Sequence, residues 1–214
     1  MQDITNNIIK SFYNAVSKKY SEIFCNELNE RPLERKLLDM FVERIPHDEI
    51  IIDAGTGPGE IAGYMGKSRN NIIGVDISEG MIKCAKNNFP EVKFQVQDML
   101  ALDFKDDSIG GVTAFYAIVH FNYLQIERSL KEFFRVLKKG GMLLLTFHNG
   151  DETIHCESFH GIKADIDFKL LDPEKVVSII LKTGFKITER LVRFHYENFT
   201  EANTNRTIIF AEKI

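Results

Sequence analysis

The stretch E-I-I-I-D-A-G-T-G-P-G-E, residues 49–60, decides the fold. Ile50, Ile51 and Ile52 form a short run of β-branched apolar side chains, which predicts a strand buried on both faces. The run ends at Asp53, and glycines follow at Gly55, Gly57 and Gly59. Glu60-Ile61-Ala62-Gly63-Tyr64-Met65 then reads as the opening turns of a helix. Strand, glycine loop and helix bring backbone N–H groups and a helix N-terminus to face a ligand. A Cβ in such a loop would block both the turn and the ligand's approach.

Spacing narrows the ligand. A dinucleotide fingerprint, G-x-G-x-x-G, needs its third glycine where this chain, counted from Gly55, has Glu60. The sequence instead reads D-x-G-x-G-x-G. A carboxylate at Asp53 suits a ligand carrying positive groups, directly or through water, and is awkward beside a pyrophosphate.

The rest of the chain supplies what this unit needs to become a domain. Its 214 residues are 44% hydrophobic and 27% charged, enough for one domain with a full core and a small cap. The formal charge is −4 with no basic block, which argues against a nucleic-acid footprint. No apolar stretch approaches the roughly 20 residues of a membrane span, and M-Q-D-I-T-N-N lacks the regions of a signal peptide. Cys25, Cys84 and Cys156 are odd in number and far apart, which reads as reduced thiols in a cytoplasm.

Residues 1–48 read as a helical cap. Leu33, Leu37, Leu38, Phe41, Val42 and Ile45 recur at helix spacing behind Pro32. Tyr13 and Tyr20, seven apart, share a helix face and either pack on the core or reach a ligand. N-I-I-G-V-D is a second strand ending at Asp76, about 20 residues past the glycine loop, where a carboxylate accepts ribose hydroxyls. Ser78 caps the next helix, which runs to about Asn87. Val92 to Gln97 alternates as a third strand before Asp98-Met99, and Gly111 to Tyr116 is a fourth. A helix spans about Leu124 to Lys138 and stops at Gly140-Gly141; Met142 to Phe147 is a fifth strand. Asp172-Pro173 open a last helix ending at Gly184, and Phe185 to Phe194 and Arg206 to Ala211 are the last strands.

Taken together, D-x-G-x-G-x-G after one strand, Asp76 after the next and Asp98 after the third resemble the class I S-adenosylmethionine-dependent methyltransferases of small molecules. R-V-L-K-K-G-G-M-L-L-L resembles that superfamily's L-K-P-G-G run, with Lys139 in place of the proline. F-Y-N-A-V-S-K-K-Y resembles an N-terminal stretch whose second tyrosine, here Tyr20, approaches the cofactor. The resemblance covers nearly the whole chain. It implies an α/β, Rossmann-like, doubly wound sheet of seven mostly parallel strands, with an antiparallel C-terminal strand and a helical N-terminal cap. The methyltransferase domain would span 49–214, with a substrate-facing insertion around 149–171.

The cofactor implied is S-adenosylmethionine (SAM), leaving as S-adenosylhomocysteine (SAH). Its contacts would be Tyr20, Asp53, Gly55, Gly57, Gly59, Asp76, Ile77, Met81, Asp98, Met99 and Tyr116. In the family Asp76 holds the ribose, Met81 and Met99 lie along the adenine, and Asp98 meets its amino group. Methyltransferases of exocyclic amines carry (D/N)-P-P-(Y/F/W) after the fourth strand; here F-Y-A-I-V-H stands there. That absence argues against nucleic-acid bases as acceptors.

The reaction expected is transfer of a methyl group to O, N or C of a small molecule by a cytoplasmic monomer or homodimer, with no membrane or nucleic-acid partner. A protein that binds SAM without transfer is the alternative. His120 and His148 follow the fourth and fifth strands, and either is a candidate base, because histidine titrates near neutrality. His148 is placed first, since Gly150 lets the backbone turn over the pocket; His120 falls on the next loop or a helix start. His148, His155, Cys156 and His160 match no metal-ligand spacing, and no metal is expected.

Overall fold

A computed structural model describes residues 4–196 and 203–214; Met1 to Asp3, part of the expected cap, lie outside them. Helix α1 (Ile4–Phe24), a 3-10 turn (Glu27–Glu30) and α2 (Pro32–Glu43) precede β1 (Ile51–Ala54). Then come α3 (Glu60–Gly66), β2 (Ile72–Asp76), α4 (Glu79–Asn88), β3 (Lys93–Val96) and β4 (Ile109–Phe115). The second half holds α5 (Tyr123–Val136), β5 (Leu137–His148), β6 (Thr153–Phe159), β7 (Ile162–Lys169), α6 (Pro173–Thr183), β8 (Phe185–Arg193) and β9 (Arg206–Lys213).

Seven strands form one sheet in the order β3-β2-β1-β4-β5-β9-β8. The pairs among β1 to β5 are parallel, while β9 runs antiparallel to both neighbours. This is the expected Rossmann-like sheet. Successive strand residues point to opposite faces and so feed two cores. Ile52, Leu143 and Leu145 pack with α5 and α6, whereas Ile51, Leu144 and Phe210 pack with Leu37, Leu38 and Phe41 of α2. Of the helices read as a cap, α2 therefore covers the sheet, and α1 carries the segment that rises over the strand ends. Chain order reverses between β1 and β4, and a ligand crevice opens at the C-terminal ends of strands at such a point.

Two segments differ from expectation. The helix read to Lys138 ends at Val136, and β5 starts at Leu137, because Leu137 pairs with Ile109 before Gly140 and Gly141 bend the chain. The segment read as a substrate-facing loop is an antiparallel hairpin, β6–β7, separate from the main sheet. His160 (φ 48°) and Gly161 (φ 84°) supply its turn, the left-handed pair that a two-residue hairpin turn requires. Cys156 faces Ile166, and Phe159 faces Ile162 across the hairpin, but the long polar stretch around them hid the alternation.

Candidate active site

The glycine loop is built by its hydrogen bonds. The N–H groups of Gly55 and Thr56 both donate to the Val75 carbonyl (2.8 and 3.0 Å), which ties the loop to β2. Gly55 (φ 73°) and Gly59 (φ 93°) sit in the left-handed region that favours glycine. A Cβ on Gly55 would lie 2.5 Å from that of Ala117, and one on Gly59 would meet Phe94 at 2.9 Å. Gly57 has no protein atom within 4 Å of such a Cβ, and its N–H donates to Asp76 Oδ2 at 2.9 Å.

Above this loop lies a cavity of about 160 Å³ at the ends of β1, β2 and β4. The structure brings Tyr20, Gly55, Gly57, Asp76, Ile77 and Met81 to its wall, with Asp98, Met99, Tyr116 and His120. Asp53 and Gly59 do not line it. Asp53 is buried beneath the loop, where Thr56 Oγ1 (2.6 Å) and Thr113 Oγ1 (2.8 Å) donate to its two oxygens. Its place is structural: it ties β1 to β4 and fixes the first turn of the loop. Gly59 caps α3 instead.

Asp76 is held by two backbone donors, Gly57 N–H and Ser78 N–H (2.9 Å each). Burial first of all pushes both Asp53 and Asp76 up to about 6, against the hydrogen bonds that favour their charge. Asp98 accepts Leu100 N–H (2.8 Å) and the amide of Asn6 in α1 (2.6 Å), so the cover helix reaches the end of β3. Asn14 Oδ1 accepts Ser78 Oγ–H (2.7 Å) and Gly80 N–H (2.9 Å), fastening α1 to the start of α4.

Sequence reasoning missed Glu27, Arg31 and Glu60 in the wall. Glu60 Oε1 accepts Leu28 N–H at 2.8 Å, which draws the 3-10 turn over the glycine loop. Burial is the main cause that lifts Glu60 to about 7. Arg31 pairs with Glu27 at 2.9 Å. Glu60 directly follows the third glycine, so its position at a helix N-terminus facing the loop was the available signal. Four carboxylates (Glu27, Glu60, Asp76, Asp98) thus stand around this cavity against one guanidinium, Arg31.

The two histidines part ways. His120 lines the cavity, is 4% exposed and sits between two partners. Its Nδ1 lies 2.7 Å from the Asp167 carbonyl oxygen, and its Nε2 lies 2.8 Å from the Tyr13 hydroxyl. A carbonyl only accepts, so Nδ1 carries the proton and Nε2 accepts from the phenol. Burial lowers His120 to about 4, and it is neutral at pH 7. Tyr13 is raised well above its ordinary value, chiefly by burial. His148, at the end of β5, is absent from this wall; its Nδ1 lies 2.8 Å from Thr204 Oγ1 and its ring packs on Tyr116. Tyr116 is left-handed (φ 52°), a strained conformation of the kind found where a side chain is held for function. Among the described residues no group of three His, Cys, Asp or Glu is placed to hold a metal, and no helix is long and apolar enough to cross a membrane.

A family profile described as a methyltransferase domain matches residues 51–141. An uncharacterized protein of Methanocaldococcus jannaschii is 33% identical over 143 residues, 66% of this chain and 52% of its own length. Demethylmenaquinone methyltransferase of Chlorobaculum parvum is 33% identical over 92 residues, 42% of this chain and 37% of its own. The chain spans about half the length, or less, of these curated relatives. Among solved structures, the magnesium protoporphyrin IX methyltransferase of Synechocystis, with bound SAM, superposes with a TM-score of 0.73 at 16% identity, covering 100% of this chain and 99% of that one. A SAM-dependent methyltransferase of Methanosarcina mazei gives 0.72 at 19% identity over 82% and 97%.

Proposed function

We propose that this chain, whose residues 51–141 match a methyltransferase-domain profile, is a class I S-adenosylmethionine-dependent methyltransferase that moves a methyl group from SAM to a small, largely apolar acceptor. The observation that carries this is the charge of the cavity. Its four carboxylates suit a ligand with a sulfonium and an ammonium, and would repel the pyrophosphate of a dinucleotide. Gly57 leaves open space beside Asp76, where a ribose would lie, and Met81 and Met99 supply apolar surface for the adenine. When bound, SAM supplies the activated methyl carbon.

The chain's own work is alignment, exclusion of water and removal of a proton. Tyr13, Tyr20, Phe24, Phe115 and Phe121 give the cavity an aromatic side, which favours a flat acceptor. His120 Nε2 is already occupied by the Tyr13 hydroxyl, so the phenol oxygen is what an acceptor meets. An acceptor seated here would give up its proton to Tyr13 Oη as it takes the methyl group that bound SAM would supply. Tyr13's own proton moves to His120 Nε2. The imidazole would then carry the positive charge, in a cavity lined by Glu27, Glu60, Asp76 and Asp98.

Asp76→Asn keeps the shape and removes the charge that two ribose hydroxyls would donate to. We expect SAH affinity to fall roughly ten- to a hundredfold in a folded protein, measured by calorimetry.

The pH response follows from the raised carboxylates. Asp53 and Asp76 titrate near 6 when folded against an ordinary 3.8, and Glu60 near 7 against 4.5. Between those values the folded state holds more protons than the unfolded one. Stability of the ligand-free protein therefore falls as pH rises from about 4 to about 7. A cationic ligand favours the ionised carboxylates, so SAM binding should tighten over the same rise, and more than SAH binding does. Titrations at pH 5.5 and 8 check this. Equal changes for the two ligands would remove the electrostatic part of the argument.

Incubation with SAM and a fractionated metabolite pool tests the transfer itself. Production of SAH that depends on one fraction is expected; none from any fraction, with SAM bound, would leave a binding protein.

A further inference from the structure

The β6–β7 hairpin stands outside the main sheet, yet it holds the one buried imidazole of the cavity wall. Asp167 lies on β7. Its carboxylate turns outward to His155 Nδ1 (2.9 Å), and its main-chain carbonyl turns inward to His120 Nδ1 (2.7 Å). Two further contacts dock the same strand there. Lys169 N–H donates to the Val119 carbonyl at 2.6 Å, and the Phe168 ring lies 4.7 Å from the His120 ring. Phe159, before the hairpin turn, packs on Phe12, Tyr20 and Phe24 of α1 (5.8 to 6.2 Å between ring centroids). Hairpin and α1 thus close on each other above the cavity, joined by aromatic rings.

The carbonyl has a chemical consequence. A neutral imidazole in water favours the proton on Nε2. Here the Asp167 carbonyl accepts from Nδ1 and holds the proton there, leaving the Nε2 lone pair for Tyr13. With the proton on Nε2 instead, His120 would donate to the phenol, and the phenol could not pass its proton on.

We propose that the hairpin is a positioning element for the transfer reaction: the Asp167 main-chain carbonyl sets the tautomer of His120, and the Tyr13–His120 pair accepts a proton only while the hairpin is docked. This rests on the assignment of Tyr13 and His120 as the proton-accepting pair. The hold is through a carbonyl, so it does not depend on the charge of Asp167 or of His155, its outer partner. The other charged group near His120 is Lys169, which only lowers its basicity.

The test reads the tautomer, and needs no acceptor. Long-range ¹H–¹⁵N correlation spectra of the full chain, with the His120 signals identified by their loss in His120→Gln, should show the proton on Nδ1. A proton on Nε2 would overturn the proposal at once. Leu170 N–H already bonds to the Glu152 carbonyl at 2.8 Å, so residues 153–169 can be replaced by Gly-Ser-Gly between two ends that meet. That variant should lose the Nδ1–H signal in favour of Nε2–H. Phe168→Ala, a milder loosening that serves where the deletion fails to fold, should show Nε2–H in part. An unchanged Nδ1–H signal in the folded variants would contradict the proposal. Calorimetry with SAH on the same samples separates the two claims. SAH binding with the wrong tautomer sinks only this inference, while an unaltered chain that fails to bind SAH sinks the function itself.

Discussion

Gly55→Ala is expected to lower SAH affinity by about a hundredfold or more while leaving the sheet folded. Gly55 has φ 73°, where an alanine costs about 1–2 kcal/mol. The added Cβ would stand 2.5 Å from the Cβ of Ala117 and 3.0 Å from the end of Met99. Met99 can swing aside, but Ala117 has no side chain to swing. Its backbone must shift, and with it Tyr116 and the segment leading to His120. The loop gives way at the ligand's side because Gly55 and Thr56 are pinned to Val75 on the other. Gly140→Ala is the control for strain alone, since Gly140 is also left-handed (φ 78°), lies outside the cavity wall and has no protein atom within 4 Å of its new Cβ. It should lower thermal stability by a similar backbone penalty without displacing Ala117. Calorimetry with SAH and a thermal melt on both variants check the pair of expectations.

His120→Asn and Tyr13→Phe should each lower kcat by about 10²–10⁴, the range a positioned proton acceptor contributes. The two act as one unit, so the double variant should lose little more than either alone. SAH affinity should stay within a fewfold, because neither residue is assigned to the cofactor. His148→Ala is the contrast. That side chain sits behind Tyr116 against Thr204, and its loss should leave turnover within a fewfold. Initial rates with whichever acceptor supports SAH production decide between the histidines. Full loss in His148→Ala, with His120→Asn near wild type, would reverse the assignment and return the proton to the end of β5.

The sheet was legible because its signals are local. Isoleucine runs, the glycine loop, Asp76 and Asp98 at strand ends, and Asp172-Pro173 before α6 each state their own conformation within a few residues. The same locality explains what was not legible. Whether Asp53 faces the ligand or the core depends on Thr113, sixty residues on, whose hydroxyl claims one oxygen. His120 and His148 looked equivalent as residues following adjacent strands. What separates them is a tyrosine 107 residues upstream and a carbonyl 47 residues downstream. The hairpin was hidden by its polarity. β6 is largely exposed, so it carries too few buried side chains for a period of two to show. Glu60 was read as the start of a helix and no more, because its approach to Leu28 needs the fold of the N-terminal segment.

The central claim is that this cavity takes SAM. Calorimetric titration of the full chain with SAH, SAM and NAD, at pH 7.5 and one salt concentration, tests it directly. The account predicts saturable one-to-one binding of SAH and SAM with no heat of binding from NAD. Binding of NAD in preference to SAH would contradict it.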